Sequence, residues 1–80
     1  MTYTAISEKA SAKVRSMTIQ QLVDTFVLTG IQIDTGKHDE NIYTVRGWLM
    51  DEIEKRDPDG FNAWVEAFED DDGLYNYIHF

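Results

Sequence analysis

The 80-residue sequence contains no cysteine, which removes disulfides, thiolate metal ligands and cysteine nucleophiles together. Stability has to come from packing. There is one proline, Pro58, and glycine is sparse, with no phosphate loop among the five: Gly36-Lys37 lacks both the earlier glycine and the following Ser or Thr. Histidine is limited to His38 and His79. No apolar run approaches the roughly 20 residues of a bilayer span. Met1-Thr2-Tyr3-Thr4 also lacks the basic-then-apolar layout of a signal peptide, so a cytoplasmic chain with no membrane association is expected. Positive charge is the last scarcity, with 7 Lys and Arg against 15 Asp and Glu for a formal net charge of -8.

That charge is unevenly placed. Lys9, Lys13 and Arg15 outweigh Glu8 in residues 1–17, whereas Lys55 and Arg56 are the only cations of residues 51–80, which hold the acidic run Asp70-Asp71-Asp72. The C-terminal third carries the net charge. Such a field repels phosphate backbones, argues against direct nucleic-acid binding, and suits either solubility or a basic protein partner.

Hydrophobic spacing gives the fold class. Ile19, Leu22, Val23, Phe26 and Val27 line one helix face, with Thr18 and Gln21 as a capping box, Met17 and Leu22 as a hydrophobic staple, and Gly30 as the expected terminator. A second helix is expected from about Ile42 to Arg56, with inner face Ile42, Val45, Trp48, Leu49 and Ile53 and with Asn41 or Asp39 as cap. A third starts at Asp57-Pro58, carries Phe61, Trp64, Val65 and Phe68, and closes at Gly73. Ile6, Ala10, Val14 and Met17 mark a weaker N-terminal helix over about Ser7 to Ser16. Between Gly30 and Glu40 the chain reads as a loop, in which Ile31 and Ile33 cover one end of the core and Thr35-Gly36 is a turn signal. The expectation is one all-α domain over residues 1–80, a small bundle of three main helices plus the weaker one.

Candidate chemistry is thin. Asp57, Asp59 and Glu66 around Gly60 fall at calcium-loop positions, but Lys55 occupies the first ligand place; the Asp70-Asp71-Asp72-Gly73 run has His79 where the loop needs its glutamate. No metal or cofactor is therefore expected. Ser7, Ser11 and Ser16 lie far in sequence from both histidines, and Asp51 and Glu54 read as a solvated helix face, so no catalytic residue is assigned and no enzyme is expected.

Thr18 to Val23 resembles the first helix of a winged-helix DNA reader, and Thr44 to Arg56 resembles its recognition helix, which implies a degenerate helix-turn-helix regulator. Against this stand a connection from Gly30 to Glu40 longer than the usual turn, and a reading helix whose early half offers only Arg46. Thr18 to Phe26, Thr44 to Arg56, Pro58 and Phe61 also resemble a group of short uncharacterised acidic proteins encoded on phages and mobile elements of Gram-positive bacteria. That resemblance implies a mobile-element origin and no particular activity.

The tail Leu74-Tyr75-Asn76-Tyr77-Ile78-His79-Phe80 is too apolar for an idle terminus: it either packs back against Trp48 and Trp64, joins two copies in a homodimer, or is presented to a partner. The functional expectation is a non-enzymatic protein-interaction module, with Asp70, Asp71, Asp72, Tyr75, Tyr77 and Phe80 as candidate interaction residues. An alternative is an acidic DNA mimic that inhibits a nucleic-acid enzyme, of the anti-restriction or anti-CRISPR type.

Overall fold

The computed structural model describes residues 12–37 and 40–80. Helix α1 is described over residues 12–16, and the expected start of that helix at Ser7 lies outside the described residues. Three longer helices follow: α2 (Ile19–Asp34), α3 (Ile42–Arg56) and α4 (Pro58–Glu66), then a 3-10 turn over Asp71–Asn76. There is no strand among the described residues, and the fold is the expected all-α bundle. None of these helices is long and apolar enough to cross a membrane.

Local chemistry sets the start of α2. The Thr18 hydroxyl accepts from the Gln21 amide at 3.1 Å, and the Gln21 side-chain oxygen accepts from the Thr18 amide at 2.9 Å. Two otherwise orphaned donors are satisfied reciprocally. From there Leu22, Val23 and Phe26 enter the core, where they meet Leu49 and Ile53 of α3, Phe61 and Trp64 of α4, Val14 of α1, and Leu74 and Ile78 of the tail. Trp64 stands edge-on to Phe26 with ring centroids 5.8 Å apart. An edge-to-face pair of this kind adds about 0.5–1.5 kcal/mol to the burial of its area.

The end of α2 departs from the sequence reading. Helix continues through Gly30 to Asp34, so Ile31 and Ile33 are helical rather than loop residues, and Ile31 is exposed instead of covering the core. The terminator is Gly36, with φ of 74°, in the Thr35-Gly36 pair read as a turn. Its amide bonds the Ile33 carbonyl at 3.1 Å and the Lys37 amide bonds the Gln32 carbonyl at 2.9 Å, the paired bonds of a Schellman close. Gly30 serves a different need. A Cβ built there would lie 2.0 Å from Asp71 Oδ2 and 3.3 Å from an Arg46 guanidinium nitrogen, so the missing side chain makes room for an ion pair laid against the helix.

Helix α3 runs over the expected span, although Asn41 makes no side-chain cap bond, and Trp48 and Val45 are only half-buried. At its end Arg56 pairs with Glu52 at 2.9 Å and donates to the carbonyls of Arg15 and Met17, tying the open C-terminal end of α1 to α3. Asp57 makes the corner into α4: its carboxylate accepts from the Gly60 amide at 3.0 Å, with Pro58 in the first turn. Helix α4 then ends at Glu66, earlier than expected. Phe68 has a φ of 55° and is 94% exposed, and Val65 is exposed as well, so neither belongs to the inner face; Gly73 is a buried residue of the 3-10 turn rather than a helix terminator.

Three variants test this packing. Gly47 has open space where a Cβ would go, so Gly47→Ala should raise unfolding stability by about 0.5–1 kcal/mol through helix propensity. Gly30→Ala gains the same propensity but must displace Asp71, and should lower stability in chemical denaturation; an increase would show that the ion pair gives way without cost. Deleting residues 74–80 removes Leu74 and Ile78 from the core and should depress the melting temperature at every protein concentration. Conversion of a dimer to an equally stable monomer would contradict that packing.

Candidate protein-interaction surface

The Asp70-Asp71-Asp72 run is held by three separate anchors, and they divide its members by role. The Arg46 guanidinium reaches Asp71 with both terminal nitrogens, at 3.2 Å to Oδ2 and 3.3 Å to Oδ1, while Nη1 also donates to the Thr29 hydroxyl at 2.8 Å and the Phe26 carbonyl at 3.2 Å. Its carbon centre lies 4.2 Å from the centroid of the Phe26 ring. Asp70 caps the 3-10 turn through the Gly73 amide at 3.1 Å, and its carbonyl accepts from the buried Trp64 indole at 2.8 Å. Asp72 is exposed. Of the three expected interaction carboxylates, Asp71 is therefore a structural partner, Asp70 a cap whose residue remains exposed, and Asp72 a surface charge.

The tail residues divide in the same way. Leu74 and Ile78, one helical turn apart, are core, and Tyr77 is half-buried against them. Tyr75 and Phe80 stay outside, at 37% and 57% exposure, with ring centroids 6.1 Å apart. The phenol of Tyr75 donates to Asp24 on α2, and this bond, then burial, then the charges of Asp24 and Asp72, push the phenol up to about 12. The chain end is fastened at Asp57, which accepts from the His79 amide at 2.9 Å and lies 3.0 Å from His79 Nδ1. The amides of His79 and Gly60 hold the Asp57 carboxyl below its ordinary value; its contribution to stability is present above the unfolded value and is lost as pH falls toward the lowered one.

Sequence reasoning missed the outer side of α2. Asp24, Leu28 and Ile31 follow at steps of four and three along the helix, away from the core, and Leu28 and Ile31 are 51% and 53% exposed. Periodicity points to the buried stripe, which leaves Leu28 out, and the expected helix end at Gly30 places Ile31 in a loop. Beside them Val27, Gly30, Ile31, Asp34, Asp70, Asp71 and Asp72 line one open depression of ≈ 320 Å³. Tyr75 and Phe80 continue the apolar surface past Asp24. The result is a set of exposed apolar side chains with carboxylates beside them and, among the described residues, no Lys or Arg lining the depression.

Other candidate chemistry is dispersed. No cluster of three His, Asp or Glu side chains that could hold a metal occurs among the described residues, Asp57 is engaged by Gly60 and His79, and His38 lies outside the described residues. The connection between α2 and α3 is shorter than the sequence suggested, from Thr35 to Asn41, yet Arg46 on the resembled reading helix is turned toward α2 and neutralised by Asp71.

Tyr75 supplies a direct test of this surface. Because its folded pKa is raised above the ordinary value of 10.0, its bond to Asp24 contributes fully below pH 10 and is lost as pH rises toward about 12. Phenolate absorbance should show one tyrosine ionising near pH 12, and Asp24→Asn should remove that late transition. An unchanged late transition in the variant would show that Asp24 is not its cause.

No family model, curated protein or solved structure matches the chain.

Proposed function

We propose that the chain is a non-enzymatic protein-interaction module, acting in the cytoplasm, whose working face is the outer side of α2 together with Tyr75 and Phe80. One observation carries this reading: Leu28, Ile31, Tyr75 and Phe80 remain outside a core that closes without them. Scattered exposed apolar residues are ordinary, but two exposed apolar pairs, Leu28 with Ile31 and Tyr75 with Phe80, set on either side of Asp24 and bordered by carboxylates have the composition of a recognition surface. The inward position of Arg46 favours this reading over a DNA reader, since a guanidinium already paired with Asp71 is not free to neutralise a phosphate.

The test is affinity capture from a lysate with the full chain, with and without nuclease, comparing the wild type with Leu28→Ser/Ile31→Ser. Both positions are exposed, so the variant should remain folded with its melting temperature nearly unchanged. The expected result is a set of proteins retained after nuclease treatment by the wild type and lost by the variant. Capture that depends on nucleic acid would favour the helix-turn-helix regulator. Capture of a nucleic-acid enzyme that ignores the apolar pair but is lost when Asp24, Asp34 and Asp72 become Asn would favour the DNA mimic. Identical capture by both proteins would overturn the proposed face.

A further inference from the structure

Resting on the interaction reading above, we infer that the occupant of this face is a cationic amphipathic segment of another protein, with apolar side chains laid along Leu28, Ile31, Tyr75 and Phe80 and with Lys or Arg set against Asp24, Asp34 and Asp72. The inference comes from what borders the apolar row. Asp34, Asp70, Asp71 and Asp72 surround the depression next to Ile31, Asp24 sits under the Tyr75 phenol, and the charge of Asp72 acts on that same phenol. The one guanidinium in reach, Arg46, is committed to Asp71 from the core side. The rim therefore presents uncompensated negative charge around an apolar centre, and electrostatic complementarity assigns the opposite sign to the partner.

The same charge argues against other occupants. A second copy docked by a two-fold axis would set this face against itself, bringing one carboxylate rim up to another. Phosphate backbones and anionic lipid surfaces carry the sign that the rim already has. The apolar row also asks for more than simple charge attraction, because a polybasic strand without apolar side chains would leave Leu28 and Ile31 in water. From Asp24 to Asp34 the helix rises about 15 Å, which a partner helix of roughly ten residues would cover.

The probe is a synthetic Leu/Lys amphipathic peptide of about 14 residues, long enough to span the row with a turn to spare. It is titrated into the isotopically labelled full chain and followed by amide chemical shifts. Two control peptides are used, one with Glu replacing every Lys and one with the same Leu and Lys shuffled so that no apolar face remains. Expected are shifts centred on Leu28, Ile31, Asp34, Asp72 and Tyr75, weakening as salt rises, with no response to the Glu peptide. Leu28→Ser/Ile31→Ser should bind about tenfold or more weakly, the effect of removing two apolar contacts. Equal binding of the shuffled peptide would reduce the face to unspecific charge attraction and overturn the inference, as would shifts centred elsewhere or binding of the Glu peptide. If the apolar pair governs lysate capture but the Leu/Lys peptide does not bind, the partner's chemistry is wrong and the interaction reading stands. If neither experiment depends on the pair, both fail.

Discussion

The Arg46 guanidinium joins parts of the chain that are far apart in sequence. It is carried by α3, lies over the Phe26 ring of α2, shares the Thr29 hydroxyl and the Phe26 carbonyl, and closes on the Asp71 carboxylate of the 3-10 turn. A charge drawn partly out of water costs desolvation, and the fork offsets that cost only where its two terminal nitrogens find partners. The surrounding structure follows from meeting that condition. Gly30 must lack a side chain so that Asp71 can approach α2, and Asp71 must be held where the 3-10 turn begins. Trp64 reinforces the same point by donating to the Asp70 carbonyl next to it. The acidic run is thus part of the fold before it is part of any surface.

This separates the parts of the molecule that were legible in the sequence from those that were not. The Thr18 box, the Asp57-Pro58 corner and the inner faces of α2 and α3 are determined by residues within four positions of one another, and spacing alone is enough to find them. Gly30 was misread because a glycine after an apolar stripe is ordinarily a helix terminator. Its actual reason lies in Asp71 and Arg46, which no local pattern connects to it. With the helix expected to end at Gly30, Ile31 falls in a loop, and the exposed pair it forms with Leu28 on α2 is not legible from spacing. Phe68 was misassigned for a related reason: helical spacing continued past Ala67, but the backbone did not. The tail was only half legible. Its apolar content showed that it must pack or be presented, and the spacing of Leu74 and Ile78 could have separated the residues that pack from Tyr75 and Phe80, which do not.

The carboxylates show why net charge alone is a poor guide to function. Asp57, Asp70 and Asp71 each satisfy backbone amides or a guanidinium, and Asp24 receives the Tyr75 phenol, so several of the negative charges have structural partners. These groups would be needed whatever the protein binds. What distinguishes the outer side of α2 is that such structural carboxylates, together with Asp34 and Asp72, enclose apolar side chains rather than more polar surface. A rim built partly from groups fixed by the fold is preorganised, and binding against it loses less side-chain freedom than binding against freely rotating charges.

The chain departs in two places from what stability alone would select. A phenylalanine at a φ of 55° occupies a backbone conformation better suited to glycine, and at 94% exposure its ring returns almost no burial to offset the strain. Leu28 and Ile31 likewise face water from helix turns that polar residues would occupy without loss of packing. A core closed by Leu22, Phe26, Leu49, Ile53 and Leu74 explains neither feature, since it is complete without them. The outer face of α2 differs from Phe68 in one respect: its apolar side chains lie beside carboxylates that the fold holds in place, so on the proposed reading it would offer a partner both contact area and an orienting charge.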